Sequence, residues 1–251
     1  MDTIRNTLKG KIALITGGAT GIGRSCAERL SALGASVVIN YSRSKDKAEQ
    51  LASQLESRGT PAMAVQADVA QDGDVRNMVE QILSRFGRID ILVNNAGRTR
   101  FVAMDDLEGV TEEDWDMIMN TNVRGAFYVT RACASELKRN NGCVVNISSI
   151  AGFMGRGSSI PYSVSKGALI NLTKCLARAL APEVRVNSIA PGIVLTDWVI
   201  GQEEHIKRQS GGTLMGRAAE AVDVADAVEG MIIHGGFVTG QTLIVDGGFY
   251  L

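Results

Sequence analysis

Short runs of apolar residues alternate with longer amphipathic stretches along nearly the whole chain. The runs are continuous rather than alternating in polarity, which is typical of strands covered on both faces of a parallel sheet. They lie at 12–15, 37–39, 63–65, 91–93, 144–147, 186–189 and 243–245. This strand–helix–strand order predicts an α/β fold with a doubly wound, seven-stranded parallel sheet and helices on both faces. In such a sheet, ligands bind beyond the carboxyl ends of the strands.

Residues that start and stop helices lie between these runs. Thr111 is followed by acidic residues and predicts an N-cap, and Pro161 predicts the first turn of a later helix. Gly34 and Gly87 fall where two other helices should end. These signals support the helical interpretation of the stretches between the strands.

One domain accounts for the whole length. The chain has 251 residues, of which 45% are hydrophobic, and no repeat or linker interrupts it, so we expect a single domain over 1–251. The segment from about 193 to 217 is irregular and contains several glycines. It is either a mobile flap over a site or a variable surface connection.

Charge and hydropathy exclude several kinds of partner. The net charge of −1 argues against a cationic surface for nucleic acid, and no apolar run reaches the length of about 18 residues that a membrane span needs. The N-terminus also lacks the apolar core of a signal peptide. We therefore expect a cytoplasmic protein whose partner is a small molecule, with no nucleic acid and no membrane.

Cysteine and histidine give no sign of a metal centre. The four cysteines have no metal-ligand spacing, and we interpret them as small buried side chains in a reducing compartment. They are Cys26, Cys133, Cys143 and Cys175. The two histidines, His205 and His234, are far apart in the sequence, so no metal is expected.

A glycine-rich turn follows the first apolar run and leads into a helical stretch. Gly17, Gly21 and Gly23 allow a tight turn and a close approach of the backbone, around Thr20 and Ile22, to a pyrophosphate. The free N–H groups at the helix start would meet the negative charge. The spacing G-x-x-x-G-x-G departs from the general dinucleotide fingerprint, and the alternative is a simple tight connection.

The end of the second strand indicates which dinucleotide is preferred. NAD sites place a carboxylate there, whereas an added phosphate requires a cation and no anion. The strand ends in Asn40, Tyr41, Ser42 and Arg43. This neutral to basic ending favours NADP(H), and NAD(H) remains possible if Arg43 simply faces solvent. Asp68 and Val69 follow the third strand, where a carboxylate suits the adenine amino group.

A possible proton-transfer pair lies in the second half of the chain. Tyr162 and Lys166 are four residues apart on a predicted helix, so they share a face. An ammonium group beside the phenol would favour its ionised form and lower its pKa. Ser149 ends the fifth apolar run and could help Tyr162 hold a carbonyl oxygen. The alternative is an ordinary exposed pair on a solvated helix.

Taken together, these motifs resemble the short-chain dehydrogenase/reductase family. Further matches are Asn94 to Gly97, Asn122 within 121–125, Pro191 and Gly192 followed by Thr196, and Asp246 to Gly248. The resemblance spans about residues 8 to 249. It implies a Rossmann-like domain that moves a hydride between a nicotinamide and a carbonyl or alcohol carbon, usually as a homodimer or homotetramer.

The resemblance also implies roles for single residues. Tyr162 is the expected proton donor and Ser149 orients the substrate oxygen. Lys166 lowers the pKa of Tyr162 and binds the nicotinamide ribose, and Asn122 holds a water. The nicotinamide end of the cofactor site is expected to include Asn95, Ala96, Gly97, Tyr162, Lys166, Pro191, Gly192, Val194 and Thr196.

The substrate is less constrained by the sequence. The pattern is similar to 3-oxoacyl-carrier-protein reductases, which implies a 3-oxoacyl thioester. A sugar or polyol dehydrogenase of the same family is the alternative, and a non-redox epimerase, dehydratase or sensor protein is a third interpretation. Candidate lining residues are Arg98 to Phe101, Phe153, Met154, Ile193, Trp198, Val199 and Met215. Mixed apolar and basic character suits many ketones.

Overall fold

The computed structural model describes residues 7–201, 206 and 210–251. The strands are β1 (Ile12–Ile15), β2 (Ser36–Tyr41), β3 (Ala62–Gln66), β4 (Ile91–Asn94), β5 (Cys143–Ile147), β6 (Arg185–Pro191), β7 (Val194–Leu195), β8 (Ala219–Glu220) and β9 (Thr242–Val245). The helices are α1 (Gly21–Ala32), α2 (Lys45–Ser57), α3 (Asp72–Phe86), α4 (Glu112–Met119), α5 (Ala126–Arg139), α6 (Ala151–Met154), α7 (Ile160–Leu180) and α8 (Ala221–Ile233). All seven predicted strands are confirmed.

The main sheet has seven parallel strands in the order β3-β2-β1-β4-β5-β6-β9. From β1 the chain adds β2 and then β3 on one side, and it then crosses over so that β4 pairs with the other side of β1. This reversal leaves a crevice between β1 and β4 at the carboxyl ends of the strands. The predicted doubly wound fold is confirmed, and it places the loops after the strands at one edge.

Apolar side chains from the strands pack into two separate cores, one on each face of the sheet. Successive strand residues point to opposite faces, so Ile15 and Val93 pack beneath α1, α2 and α8, whereas Leu14 and Leu92 pack beneath α3, α5 and α7. These four side chains are almost completely buried. Burial on both faces explains why the strands are continuous apolar runs.

The helix ends follow the sequence signals. Thr111 caps α4, because its hydroxyl accepts a hydrogen bond from the backbone N–H of Asp114 at 3.2 Å while the Asp114 carboxylate accepts one from Thr111. Gly87 ends α3 in a left-handed conformation, with φ of 73°. Between α4 and α5 the chain forms a π-helical turn, Asn120–Gly125, which the sequence pattern does not indicate.

Three further features differ from the sequence expectations or lie beyond them. The two-stranded parallel pair of β7 and β8 joins the start of the segment 193–217 to the residues just after it and was not predicted. Part of that segment, including His205, lies outside the described residues, as does the N-terminus up to residue 6. Cys175 is exposed, which corrects the expectation of a buried side chain, because it lies on the outer face of α7.

No helix among the described residues is both long and apolar enough to cross a bilayer.

A buried carboxylate ties β1 to β4 at the amino ends of the strands. Asp90 is 2% exposed and accepts hydrogen bonds from Lys11 at 2.9 Å, from Arg88 at 2.6 and 2.9 Å, and from the backbone N–H of Ile12 at 3.0 Å. Burial alone would raise the pKa of Asp90, but these bonds outweigh it and the pKa is lowered. Asp90 therefore contributes stability in its ionised form.

Substituting Asp90→Asn should lower the free energy of unfolding at pH 7 by about 1 to 3 kcal/mol, because the buried network loses its negative charge and one of its two acceptor oxygens. A group whose pKa is lower in the folded state contributes stability above its unfolded pKa of about 3.9 and loses it as the pH falls further. The difference from wild type in urea unfolding should thus be constant from pH 5 to 8 and shrink below about pH 4. Asp105→Asn, at an exposed loop position, is the control and should change little.

Candidate active site

A cavity of about 800 Å³ opens at the carboxyl ends of the strands. Its wall is built from the loops that follow β1 to β6, as the doubly wound fold requires. Most of the residues selected from the sequence line it: Gly17, Thr20, Gly21, Ile22, Asn40, Ser42, Arg43, Asp68, Val69, Asn95, Ala96, Gly97, Ser149, Tyr162, Lys166, Pro191, Gly192, Val194 and Thr196. Gly23, Tyr41 and Asn122 do not.

The glycine-rich turn presents backbone N–H groups to the cavity. Gly17 and Gly21 have φ of 59° and 52°, in the left-handed region that glycine tolerates best. Thr20, the N-cap of α1, is extended and makes no side-chain capping bond. The first N–H groups of α1 are therefore not taken by a cap, and the positive end of the helix dipole faces the cavity. This arrangement suits a phosphate group.

Gly23 shapes the turn from behind. A Cβ atom at this position would lie 2.4 Å from the carbonyl oxygen of Gly17 and 2.5 Å from Nδ2 of Asn95. The Asn95 amide needs that space, because its Nδ2 donates to the carbonyl oxygens of Thr16 and Gly17, both at 3.0 Å. Gly23 therefore allows the tight turn by packing behind it, and its part in cofactor binding stays a prediction.

The second strand contributes one structural and two accessible polar residues. Asn40 is 1% exposed, accepts a hydrogen bond from the N–H of Gly17 at 3.3 Å and donates to the carbonyl of Ala67 at 3.1 Å. It thereby fixes the glycine-rich turn against the end of β3. Ser42 and Arg43 line the cavity, and Arg43 is exposed.

Two other residues near this end have side chains that lie outside the cavity lining. The Tyr41 side chain points to the face of the sheet that α1 and α2 cover. It is therefore buried in that core and does not line the cavity. Arg24 bonds to Glu28 at 3.1 Å and to Gln54 at 3.2 Å rather than lining the cavity. The cationic character of this end is therefore carried by Arg43.

The predicted catalytic side chains meet on one wall of the cavity. Lys166 is only 5% exposed, and its Nζ donates to the carbonyl of Ile147 at 2.8 Å, at the end of β5. The same Nζ lies 5.6 Å from the centre of the Tyr162 ring. The Ser149 hydroxyl accepts a hydrogen bond from the N–H of Ala151 at 3.1 Å, which orients it from the start of α6. The exposed-pair alternative for Tyr162 and Lys166 is wrong.

The protonation equilibria differ from the sequence expectation. Burial raises the pKa of Tyr162 to about 12, and the interaction with Ser149 opposes this only in part. Burial also lowers the pKa of Lys166 to about 8, because its ammonium is removed from water. The expected lowering of the Tyr162 pKa by Lys166 is therefore absent here. With its pKa raised by burial, the phenol is protonated at neutral pH.

Asn122 lies behind the wall, within the π-helical turn. Its side chain accepts a hydrogen bond from the N–H of Arg98 at 2.7 Å and donates to the carbonyl of Arg98 and to Ser165 Oγ, both at 3.0 Å. Both amide hydrogens are thus engaged in fastening the loop after β4 to α7. π-Helical turns often occur at functional sites. The water expected at Asn122 stays a prediction.

The remaining wall is largely apolar. Of the residues suggested from the sequence, Arg98, Phe101, Met154, Ile193, Trp198 and Val199 line the cavity. Phe153 instead packs against Tyr250, with ring centres 5.7 Å apart, and Met215 also lies outside the lining. The Trp198 and Tyr162 rings are 6.2 Å apart. Met104, Arg156 and Phe249 also line the cavity, and no local sequence motif indicated them.

Comparison with known proteins gives consistent matches over most of the chain. A family model described as short chain dehydrogenase matches residues 11–207. One relative is a Streptomyces violaceoruber protein that is named as ketoacyl reductase 2 of the granaticin polyketide synthase. It is 42% identical to this chain over 96% of each chain. A 3-oxoacyl-(acyl-carrier-protein) reductase of Staphylococcus epidermidis is 36% identical over 96% of this chain and 99% of its own. The crystal structure of a short chain dehydrogenase from Burkholderia cenocepacia, in complex with NADP, has a TM-score of 0.92 and 36% identity, covering 98% of this chain and all of that one.

Substituting Lys166→Met should stabilise the fold. At pH 7 the native state carries a desolvated ammonium, so its removal should raise the free energy of unfolding by about 1 to 3 kcal/mol. The native state releases this proton near pH 8 and the unfolded chain near 10.5, so the gain should be full below pH 8 and vanish by about 10.5. Denaturant unfolding across this range measures it.

The control for this substitution is Lys174→Met, which removes an exposed lysine from the same helix and should show no such pH dependence. A Lys166→Met protein that is less stable than wild type at pH 7 would contradict the argument, as would a gain that persists above pH 10.5.

Proposed function

This chain belongs to the short-chain dehydrogenase family, and from that premise we propose that it is an oxidoreductase that uses NADP(H) to reduce the ketone of a 3-oxoacyl thioester to a secondary alcohol. The observation that carries the proposal is the common cavity: Ser149, Tyr162 and Lys166 line the same space as the uncapped start of α1. Proton-transfer groups and a phosphate-binding helix end thus open on one volume. That volume suits a dinucleotide with a ketone beside it.

The cavity wall fits NADP(H) at both ends. The uncapped N–H groups of α1 suit the pyrophosphate, and the exposed guanidinium of Arg43 suits a ribose phosphate. A relative with 36% identity was crystallised with NADP. We propose that Asn40, Tyr41 and Gly23 support this site from behind. The adenine would lie against Asp68 and Val69, and the nicotinamide against Asn95, Ala96, Gly97, Pro191, Gly192, Val194 and Thr196.

The proposed chemistry divides between cofactor and protein. When bound, the reduced nicotinamide supplies the hydride. Tyr162 donates a proton to the carbonyl oxygen as negative charge develops there, which its raised pKa allows at neutral pH. Ser149 holds the same oxygen in line with the phenol. The Lys166 ammonium, 5.6 Å from the Tyr162 ring, stabilises the phenolate left after transfer.

The thioester substrate is supported by the lining and by the relatives. Two relatives, at 42% and 36% identity, carry ketoacyl and 3-oxoacyl reductase names. The apolar side chains of Phe101, Met154 and Trp198 beside Tyr162 suit an acyl chain. A sugar would require more hydrogen-bonding groups in this wall than these residues offer.

Other features of the molecule also remain proposals. We infer one domain over 1–251. We also infer that the segment 193–217 acts as a flap, because its Trp198 ring lies 6.2 Å from the Tyr162 ring and lines the cavity. We infer a homotetramer or homodimer formed through α4, α5 and α7, since Trp115, Phe127 and Val164 are exposed apolar side chains on these helices. A cytoplasmic location stays a prediction.

Tyr162→Phe should reduce kcat for ketone reduction by at least about 1000-fold, because no proton donor remains at the carbonyl oxygen. NADPH binding, measured by fluorescence titration, should change by less than about threefold. Tyr128→Phe removes a phenol outside the cavity and is the matched control. Turnover by Tyr162→Phe close to that of wild type would refute the proposed chemistry.

Wild type should prefer NADPH to NADH in kcat/KM, and Arg43→Gln should remove the preference. We expect about a 10- to 100-fold loss with NADPH and little change with NADH, since the guanidinium would bond only to the added phosphate. Arg58→Gln, at an exposed arginine just after α2, serves as the control for net charge. Equal losses with both cofactors, or a wild-type preference for NADH, would contradict this assignment.

A further inference from the structure

Arg156 lies at the substrate end of the cavity, the part of the wall around Tyr162, and its charge has no partner among the described residues. It lies in the loop between α6 and α7, which joins the catalytic Ser149 to Tyr162. Its side chain is exposed and lines the cavity, and it makes no hydrogen bond or ion pair with any described residue. An arginine at a cavity wall without an acidic partner is available for a ligand.

The loop holds the backbone of Arg156 close to the reacting groups. Gly157 packs so tightly that a Cβ there would lie 3.2 Å from Cδ1 of Tyr162. The next residue, Ser158, accepts a hydrogen bond from the N–H of Val102 at 2.8 Å, and its hydroxyl bonds to that of Thr99 at 2.5 Å. The backbone of Arg156 is therefore held next to Gly157, the residue that packs against the Tyr162 ring.

The other charges of the cavity are already engaged or lie elsewhere. Asp68 pairs with Arg98 at 3.6 Å, and Asp197 pairs with Lys47 at 2.7 Å. The Lys166 ammonium bonds to a backbone carbonyl. Arg43 follows β2, on the far side of the glycine-rich turn from the catalytic wall. Neither acid of the described lining is thus free to neutralise Arg156.

The wall near Arg156 is largely apolar. Its large side chains are Phe101, Met104, Met154, Trp198 and Phe249, and the other polar side chains there, Ser149, Ser158 and Tyr162, are uncharged at neutral pH. In such a wall, one guanidinium discriminates strongly between anionic and neutral ligands, because a planar fork bonds two oxygens of a carboxylate or phosphate.

We propose that Arg156 binds an anionic group of the substrate, so that the enzyme selects ketones that carry a carboxylate or a phosphate. This inference rests on the proposed ketone reduction and names the substrate class of that site. A carboxylate would belong to a small oxo acid, and a phosphate to the pantetheine arm of a thioester. The two sources share the same recognition chemistry, so the test contains both.

The test compares four ketones with wild type, Arg156→Gln and Arg156→Lys. They are acetoacetyl-CoA, the uncharged acetoacetyl-N-acetylcysteamine, 4-oxopentanoate and its methyl ester. Arg156→Gln should lower kcat/KM about 10- to 100-fold for at least one anionic ketone, mainly through KM, and leave both neutral ketones within about threefold. Arg156→Lys should restore part of the loss. Arg178→Gln, an exposed arginine of α7 outside the cavity, controls for net charge.

The anionic ketone that loses kcat/KM in Arg156→Gln shows whether Arg156 binds a carboxylate or a phosphate. A loss confined to 4-oxopentanoate supports a carboxylate, and a loss confined to acetoacetyl-CoA supports a phosphate. Equal losses for charged and neutral ketones, or no loss for any, overturn the proposal while leaving ketone reduction intact.

Binding of the same four compounds, measured by calorimetry, separates this proposal from the proposed function. If wild type reduces none of the ketones, the proposed reaction fails, but selective anion binding lost in Arg156→Gln still supports the role of Arg156. If wild type binds charged and neutral compounds equally, the role of Arg156 is refuted whatever the turnover.

Discussion

The architecture of the site depends on how the parallel sheet ends. Where the strands stop, their backbone groups lose ladder partners and must be satisfied by side chains. Thr16 Oγ1 accepts from the N–H groups of Asn95 and Ala96, both at 3.0 Å, while Lys166 donates to the Ile147 carbonyl at 2.8 Å. The residues that complete the sheet are thus the ones that shape the cavity, so fold and site share the same hydrogen bonds.

A second layer of buried polar groups holds these strand ends in register. The Asn94 amide donates to Asn146 at 2.9 Å, and Asn146 in turn donates to Thr173 of α7 at 2.9 Å. This chain links β4 and β5 to the helix that carries Tyr162 and Lys166. A change in the spacing of these strands would leave buried amides unpaired, which is costly in a low-dielectric interior. The network therefore fixes where this helix lies relative to the sheet.

The sequence predicted those features that local patterns encode. Continuous apolar runs identified all seven strands of the main sheet, and helix signals such as Thr111 identified several ends. Other features depend on how distant segments come together, so no local pattern indicates them. They are the π-helical turn at Asn120–Gly125, the pairing of β7 with β8 and the position of Arg156 in the cavity wall. The pKa of Tyr162 was misjudged for the same reason: spacing gives proximity to Lys166, but burial, which dominates here, is a property of the assembled fold.

Lys166 illustrates how such a site trades stability for chemistry. A lysine that is 5% exposed carries a desolvation cost that one backbone carbonyl offsets only in part, as its pKa of about 8 indicates. A neutral side chain of similar length would remove that cost, yet it could not oppose negative charge appearing on Tyr162. A water-exposed lysine could oppose it only weakly, because solvent screens the interaction. In the proposed reaction, the charge would be useful at this position for the same reason that it is costly, because water is kept away from it.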